Sequence, residues 1–327
     1  PARPRFVVLT ALPIEAIALL EQLENHRERV LPSGTIVEVG DLLGDGKRLE
    51  VAVAQGGAGN IPAAALSTEL LGNLRPAALL FVGVAGGIKD VSIGDVVAAT
   101  KVYGYTSGKA QSEFLPRPDV GRSAYRLEQR ARADARRGLW LKRRKGEASG
   151  DPTAHVGPIA AGEAVVASKR SPIFQFLREQ YSDALAVEME GRGLLEAAWM
   201  QHVEAIVIRG ISDCIDGKSR ADAGGSQKLA ARNAAAFAAW LYAQGQEPSV
   251  HVLAWFKHKG VAWPPVTSST DVAAPALRAE DVQDFAGLVQ YRLAFNQLPA
   301  QQRPEWLPKH VEILRAEVER PGSGGKA

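Results

Sequence analysis

Ala184–Asp216 reads A-L-A-V-E-M-E-G-R-G-L-L-E-A-A-W-M-Q-H-V-E-A-I-V-I-R-G-I-S-D-C-I-D. A short apolar run, Ala184–Val187, ends in two carboxylates, Glu188 and Glu190, on either side of Met189. Leu194, Leu195, Ala198 and Trp199 then recur near a 3.6-residue period, which predicts a helix with one apolar face. Ala205–Ile208 reads as a second buried strand, closing on Arg209-Gly210-Ile211-Ser212-Asp213. In open α/β sheets function gathers where strands end. This strand–helix–strand unit therefore predicts that Glu190 and Asp213 meet at one sheet edge.

V-E-M-E at 187–190 and R-G-I-S-D-x-x-D at 209–216, in this order and at this spacing, resemble the signature of the purine nucleoside phosphorylase superfamily. The most similar branch is the methylthioadenosine/S-adenosylhomocysteine nucleosidases. V-G-V-A-G-G-I at 82–88, followed by G-D-V-V at 94–97, is similar to the superfamily's central segment. The resemblance spans roughly Arg5 to Gln244, about three quarters of the chain. It implies an α/β fold over 1–245, a three-layer sandwich with a mixed central sheet. Gln244–Ser249 is polar with Gly and Pro and reads as a boundary. Residues 246–327 are expected to form a small, mainly helical accessory domain with a disordered tail, an addition to the resembled enzymes.

Bulk properties bound the class. A hydrophobic content of 46% with abundant Gly suits a soluble α/β protein. The single cysteine, Cys214, excludes an internal disulfide framework and a Cys-based zinc site. That fits a reducing cytoplasm, the expected location. No signal-peptide series is read at the start of the sequence and no apolar run reaches about 18 residues, so neither a leader nor a membrane span is expected. A net charge of +3 implies no nucleic-acid partner by itself. The histidines show no ligand spacing, and neither a metal nor a cofactor is expected.

Along the chain, Arg5–Thr10 reads as a buried first strand turning at Pro13 into a helix that continues through Leu23. Glu15 lies in that first turn. The resemblance places a water-activating carboxylate there, whereas helix physics alone places a dipole-stabilising one. Gly56-Gly57-Ala58-Gly59-Asn60 links a strand to a helix and reads either as an anion cradle or as a tight turn. It is not G-x-G-x-x-G, so a dinucleotide fold is disfavoured. Ala85 and Gly86, at the end of the most apolar strand, are expected to line the substrate. Phosphorolytic members of the resembled family carry a serine where this chain has Val84, together with Arg near the first turn. T-A-L-P-I-E offers no Arg, so water is expected as the nucleophile rather than phosphate. Val165 and Val166 fall where the family supports the purine, and here they form an apolar wall without a π-face.

Residues 117–145 carry eleven basic and three acidic side chains. Such a run reads as a solvated helical face over 123–137, or as a polyanion site in which Arg117, Arg122 and Arg126 take substrate phosphates. Tyr103, Tyr105, Phe114, Tyr125 and Trp140 interleave with the basic residues as on nucleic-acid surfaces. No RNA or DNA motif accompanies them, so a nucleic-acid partner is not expected. Gly217-Lys218-Ser219 lacks the upstream glycine of a phosphate loop.

Breaking a purine N-glycosidic bond needs a proton on the leaving base, support for the ribose hydroxyls, and a nucleophile on the opposite face. The resemblance implies Asp213 as the general acid, oriented by Ser212, and Glu15 as the base for water with Arg209 fixing geometry. It further implies Glu190 on the ribose hydroxyls, with Met189 packing on the sugar and Glu188 beside them. The expected function is hydrolysis of an adenine nucleoside or nucleotide. The alternative is a purine nucleotide nucleosidase, or a nucleotide sensor, of a bacterial defence system regulated through the C-terminal domain. A phosphorylase is disfavoured. The expected partners are the small-molecule purine substrate, further copies of the chain in a homo-oligomer, and a protein docking on residues 246–327.

Overall fold

The computed structural model describes residues 6–44, 47–112, 114–117, 119–146, 150–215 and 225–244. The expected accessory domain at 246–327, Asp216 and the Gly217-Lys218-Ser219 turn lie outside them. The chain begins with β1 (Phe6–Thr10) and α1 (Pro13–Leu20), then β2 (Glu24–Val30), β3 (Ile36–Gly44), β4 (Lys47–Gln55), α2 (Asn60–Leu74), β5 (Ala78–Gly87) and β6 (Val96–Gly104). A separate hairpin of β7 (Gly108–Ala110) and β8 (Phe114–Pro116) leads to β9 (Asp119–Arg122), which returns to β6. There follow α3 (Tyr125–Arg137), β10 (Ala154–Ala161), α4 (Pro172–Gln180), β11 (Ala186–Glu188), α5 (Gly191–Met200), β12 (Glu204–Asp213) and α6 (Ser226–Gln244).

The main sheet runs β11-β10-β6-β12-β5-β1-β4-β3-β2 and is mixed. β1 lies parallel to both β4 and β5, β12 is parallel to β5 but antiparallel to β6, and β2, β3 and β4 pair antiparallel. β11 also pairs antiparallel with β5, so β5, β12, β6, β10 and β11 close into a ring.

Strand alternation makes the three layers. Phe6 and Val8 of β1 pack with Leu19 of α1, Leu127 of α3 and the alanines of α6. Val7 and Leu9 point the other way, into Leu70 of α2 and Leu194 of α5. A strand covered on both faces reads as a near-continuous apolar run, as Phe6–Leu9 of β1, β5, and residues 205–208 of β12 do. α6 is rich in alanine, the strongest helix former, and its small side chains allow close approach to the sheet. A Cβ on Gly210 of β12 would overlap the Ala230 carbonyl.

Several local readings change. α1 stops at Leu20 rather than Leu23, and an exposed edge strand follows at Glu24–Val30. α3 begins at Tyr125 rather than at residue 123. Trp199 is not on the buried face of α5 but 72% exposed. Trp140 and Tyr105, read among surface aromatics, are buried. No helix among the described residues is long and apolar enough to cross a membrane.

Candidate active site

The site grows from the ends of β5, β11 and β12. β12 runs beside β5 with Arg209 opposite Gly83 and Asp213 opposite Gly86, and its register shifts between Ile211 and Asp213. A one-residue irregularity of this kind re-aims the side chain that follows it. Asp213 is buried there. Ser212 Oγ donates to Asp213 Oδ2 at 3.0 Å and lies 3.4 Å from the Ala85 carbonyl oxygen. A hydroxyl carries one proton, so Ser212 can donate to only one of these two oxygens at a time. Asp213 Oδ1 accepts from the Ile215 amide at 2.9 Å. Ile215 has φ +70°, a costly conformation for a β-branched residue, and is wholly buried. Strain at Ile215 thus accompanies the placement of the Asp213 carboxyl.

Glu15 is the third residue of α1, and its position follows from helix capping. Its Oε2 accepts from the Ala11 and Leu12 amides at 2.8 and 2.9 Å, satisfying donors that a helix start leaves open. Its Oε1 accepts from the Val84 amide at 2.8 Å, across 69 residues of sequence. The capping role and the placement at the β5 edge are therefore one arrangement. Val84 and Gly86 are two residues apart on β5, so Glu15 and Asp213 are separated by roughly 7 Å of strand.

Arg209, 0% exposed, stands at the centre. Its Nη2 donates to Glu188 Oε2 and, at 3.2 Å, to Glu190 Oε2. Its guanidinium carbon lies 4.0 Å from the centroid of the Phe81 ring. Burial works against its charge, but Glu188, Glu190 and Glu15 outweigh that and hold its pKa above the ordinary value. A Cβ on Gly83 would overlap both Arg209 Nη1 and Glu15 Oε1, so that position must be glycine for the two groups to share it.

The three acids around Arg209 are held differently. Glu188 accepts from the Glu190 amide at 3.0 Å and the Gly191 amide at 2.9 Å as well as from Arg209. Glu190 receives one backbone donor, Gly59 N–H at 3.2 Å. Its carboxyl is pushed up to about 7 by burial, against the lowering effect of Arg209 and with a further push from Glu188. A raised folded pKa means that the folded state binds more protons than the unfolded chain between about 4.5 and 7. Stability contributed here is present below that window and declines as pH rises through it. Glu190→Gln removes the titration. We expect the decline in thermal stability between pH 4.5 and 7 to flatten in that variant, as scanning calorimetry at several pH values would measure. An unchanged slope would contradict the assignment.

Other expected residues fall as follows. Ala85 and Val166 are buried, Gly86 and Met189 half-buried, and Val165 is 61% exposed. Arg117 is exposed, its amide donating to the Ser107 carbonyl beside the β7–β8 hairpin. Arg122 is exposed and pairs in register with Lys101. Arg126 forms an ion pair with Glu204, the first residue of β12, whereas Asp213 is the last. About 30 Å of strand separates them, so Arg126 is not brought to the carboxylates. Arg130 and Arg132 pair with Asp134 and Glu128 on their own helix, and Asp134 is buried, where it also accepts from Trp240 Nε1 at 3.2 Å. Sequence reading missed Gly83, Gly59, Asn60 and Glu163. Gly83 lies within the V-G-V-A-G-G-I segment without a role assigned there, and the glycine-rich turn, read as an anion cradle or a tight turn, gives its Gly59 N–H to the Glu190 carboxyl.

Residues 5–241 match the family model described as phosphorylase superfamily. The chain is 28% identical over 239 residues to the ATP nucleosidase Cap17 of Escherichia coli (strain KTE188), covering 64% of this chain and 46% of that protein. It is 25% identical over 234 residues to the 5'-methylthioadenosine/S-adenosylhomocysteine nucleosidase of Maridesulfovibrio salexigens, covering 69% and 94%. The fold is shared with the crystal structure of the Neisseria meningitidis 5'-methylthioadenosine/S-adenosylhomocysteine nucleosidase, with a TM-score of 0.60, 24% identity and coverage of 73% and 98%. The chain spans about half the length of the ATP nucleosidase it matches. With the family model covering most of its length, and with the carboxylates gathered at the ends of β5, β11 and β12, this chain belongs to the phosphorylase superfamily.

Proposed function

We propose that this chain hydrolyses the N-glycosidic bond of an adenine nucleoside or nucleotide and releases the free base. The observation that carries this reading is the gathering of Glu15, Glu190, Asp213 and Arg209 at one edge of the sheet. Asp213, with a hydroxyl and an amide on its two oxygens, is the group to protonate the leaving base. Glu190, with one oxygen on Arg209 and the other on a single amide, can accept from the ribose hydroxyls. Glu15, held by three backbone N–H groups, is the base for water. A fixed carboxylate at that place repels an anionic nucleophile, which favours water over phosphate. Glu188 has its oxygens engaged by amides and Arg209, and so supports Glu190 rather than touching substrate.

Two relatives are named nucleosidases, one of ATP and one of methylthioadenosine and S-adenosylhomocysteine. The 5′ substituent is thus the open variable in the proposal. Assembly as a homo-oligomer, a protein partner for 246–327 and a cytoplasmic location belong to the same proposal.

Base release followed by chromatography tests it. Methylthioadenosine, adenosine, AMP and ATP are each incubated with and without phosphate. Adenine appearing without phosphate is the expected result. Release from AMP or ATP alone assigns a nucleotide substrate, and release from methylthioadenosine assigns a thioether pocket. Strict phosphate dependence would overturn the hydrolytic reading, and binding without release would make the protein a sensor.

A further inference from the structure

The loop after β10 bears the base wall, Val165 and Val166, and the turn at Gly59 holds the carboxylate proposed for the ribose. They are distant in sequence and meet through one pair of side chains. Asn60 Nδ2 donates to Glu163 Oε1 at 2.9 Å, and the Asn60 amide points to the same oxygen at 3.4 Å. Asn60 Oδ1 accepts from the Gly193 amide at 3.0 Å, in the first turn of α5, just past Glu190. The preceding amide, Gly59 N–H, donates to Glu190 itself. Asn60 is therefore a junction. Its amide joins the base-wall loop on one side to the helix that begins at Glu190 on the other.

Glu163 is exposed and Asn60 half-buried, but the backbone on either side of them is close-packed. Gly59 has φ +107°, open to glycine, and Glu163 Oε2 lies 3.1 Å from where its Cβ would stand. A Cβ on Gly193 would overlap the Asn60 carbonyl, so α2 and α5 touch backbone to backbone there. At the other end of the loop, the Gly162 amide donates to the Glu188 carbonyl at 3.1 Å, and a Cβ on Gly162 would overlap the Tyr105 ring. The Glu163 charge also sits at the N-terminus of α2, where the helix dipole favours it.

We infer that Glu163 and Asn60 form a clasp that aligns the base-recognition loop with the ribose-holding carboxylate, making both positioning residues for the reaction. The inference rests on the proposed function, since it assigns the loop to the base and Glu190 to the sugar. Asn60→Asp breaks the clasp selectively. It sets two carboxylates against each other but keeps the acceptor for Gly193 N–H, and an acid in the first turn of α2 suits the helix. Adding Glu163→Gln restores a donor facing an acceptor, with the roles exchanged.

The full chain and both variants are compared by adenine release and by amide hydrogen exchange, with thermal unfolding as the control for folding. Asn60→Asp is expected to lower kcat/KM about tenfold, the loss of a hydrogen bond to a charged group. It is also expected to speed exchange at residues 56–60 and 162–166 together. Adding Glu163→Gln is expected to recover most of both effects, a coupling that independent sites do not show. Unchanged exchange and turnover in Asn60→Asp, or no recovery in the double variant, would overturn the clasp. If the unmodified chain releases no base from any nucleoside, the proposed function fails, while the exchange comparison still decides the clasp.

Discussion

Asp213→Asn is expected to slow adenine release by about 10²–10⁴-fold while leaving the protein folded. The substitution is close to isosteric. Asn Oδ1 can keep the Ile215 N–H bond, and its amide nitrogen can face Ser212 Oγ, which then accepts instead of donating. What is lost is the ability to deliver a proton. A leaving adenine anion is the costly species in the reaction, and the group that neutralises it acts only as the bond breaks. Such a loss lowers kcat and kcat/KM together rather than raising KM alone. Ser212→Ala is the graded comparison, because it removes one orienting hydrogen bond and leaves the acid. Its effect should be much smaller, about tenfold. The two variants are compared with the unmodified chain by single-turnover base release and by thermal unfolding. An Asn variant retaining more than a tenth of the rate would remove Asp213 from the acid role. Substrate binding that survives in that variant would separate chemistry from affinity.

Why the acid could be read from sequence, and its support could not, has a physical basis. Asp213 closes β12 and Glu188 closes β11, with Glu190 two residues further on, and a buried apolar run ending in carboxylates is a local pattern. The double layer of helices follows from the same runs, since strands buried on both faces need cover on both. β2 gives no such signal. Glu-Asn-His-Arg-Glu-Arg-Val is exposed at six of seven positions, an edge strand with no apolar alternation, and it is held there by β3 alone. Gly83 carries no mark of its role either. Its lack of a side chain matters only because Glu15 and Arg209, 68 and 126 residues away in sequence, converge over it. Arg126 fails for the converse reason. Its charge is plain in the sequence, but its partner Glu204 lies 78 residues on, at the other end of β12 from Asp213. Local chemistry is legible where the strand itself supplies it, and illegible where a long-range contact decides it.

Arg209→Met is expected to produce the largest loss of stability. Arg209 is the positive charge that Glu188, Glu190 and Glu15 share, and their combined pull holds its proton against burial. Removing that cation strands Glu188 and Glu190 against each other without a counter-charge. Breaking a buried ion pair from one side costs about 3–5 kcal/mol. For a domain of this size that is a fall in Tm of about 6–20 °C. The loss has a signed pH dependence. Without Arg209 the Glu190 carboxyl, already pushed up to about 7, moves higher, because the larger of the two influences that lower it is gone and only the Gly59 N–H bond remains. The folded variant then binds more protons than its unfolded chain, so its stability falls as pH rises. The deficit relative to the unmodified protein should be greatest near pH 8 and shrink toward pH 5. Adding Glu188→Gln to Arg209→Met removes one stranded charge and should recover part of the loss, because the cost lies in the uncompensated anions and not in the missing bulk. Urea unfolding of the three proteins at pH 5 and pH 8 makes the comparison. A deficit below about 1 kcal/mol, or one that does not change with pH, would mean that Arg209 acts in the core by packing on Phe81 and not as the counter-ion of the acids.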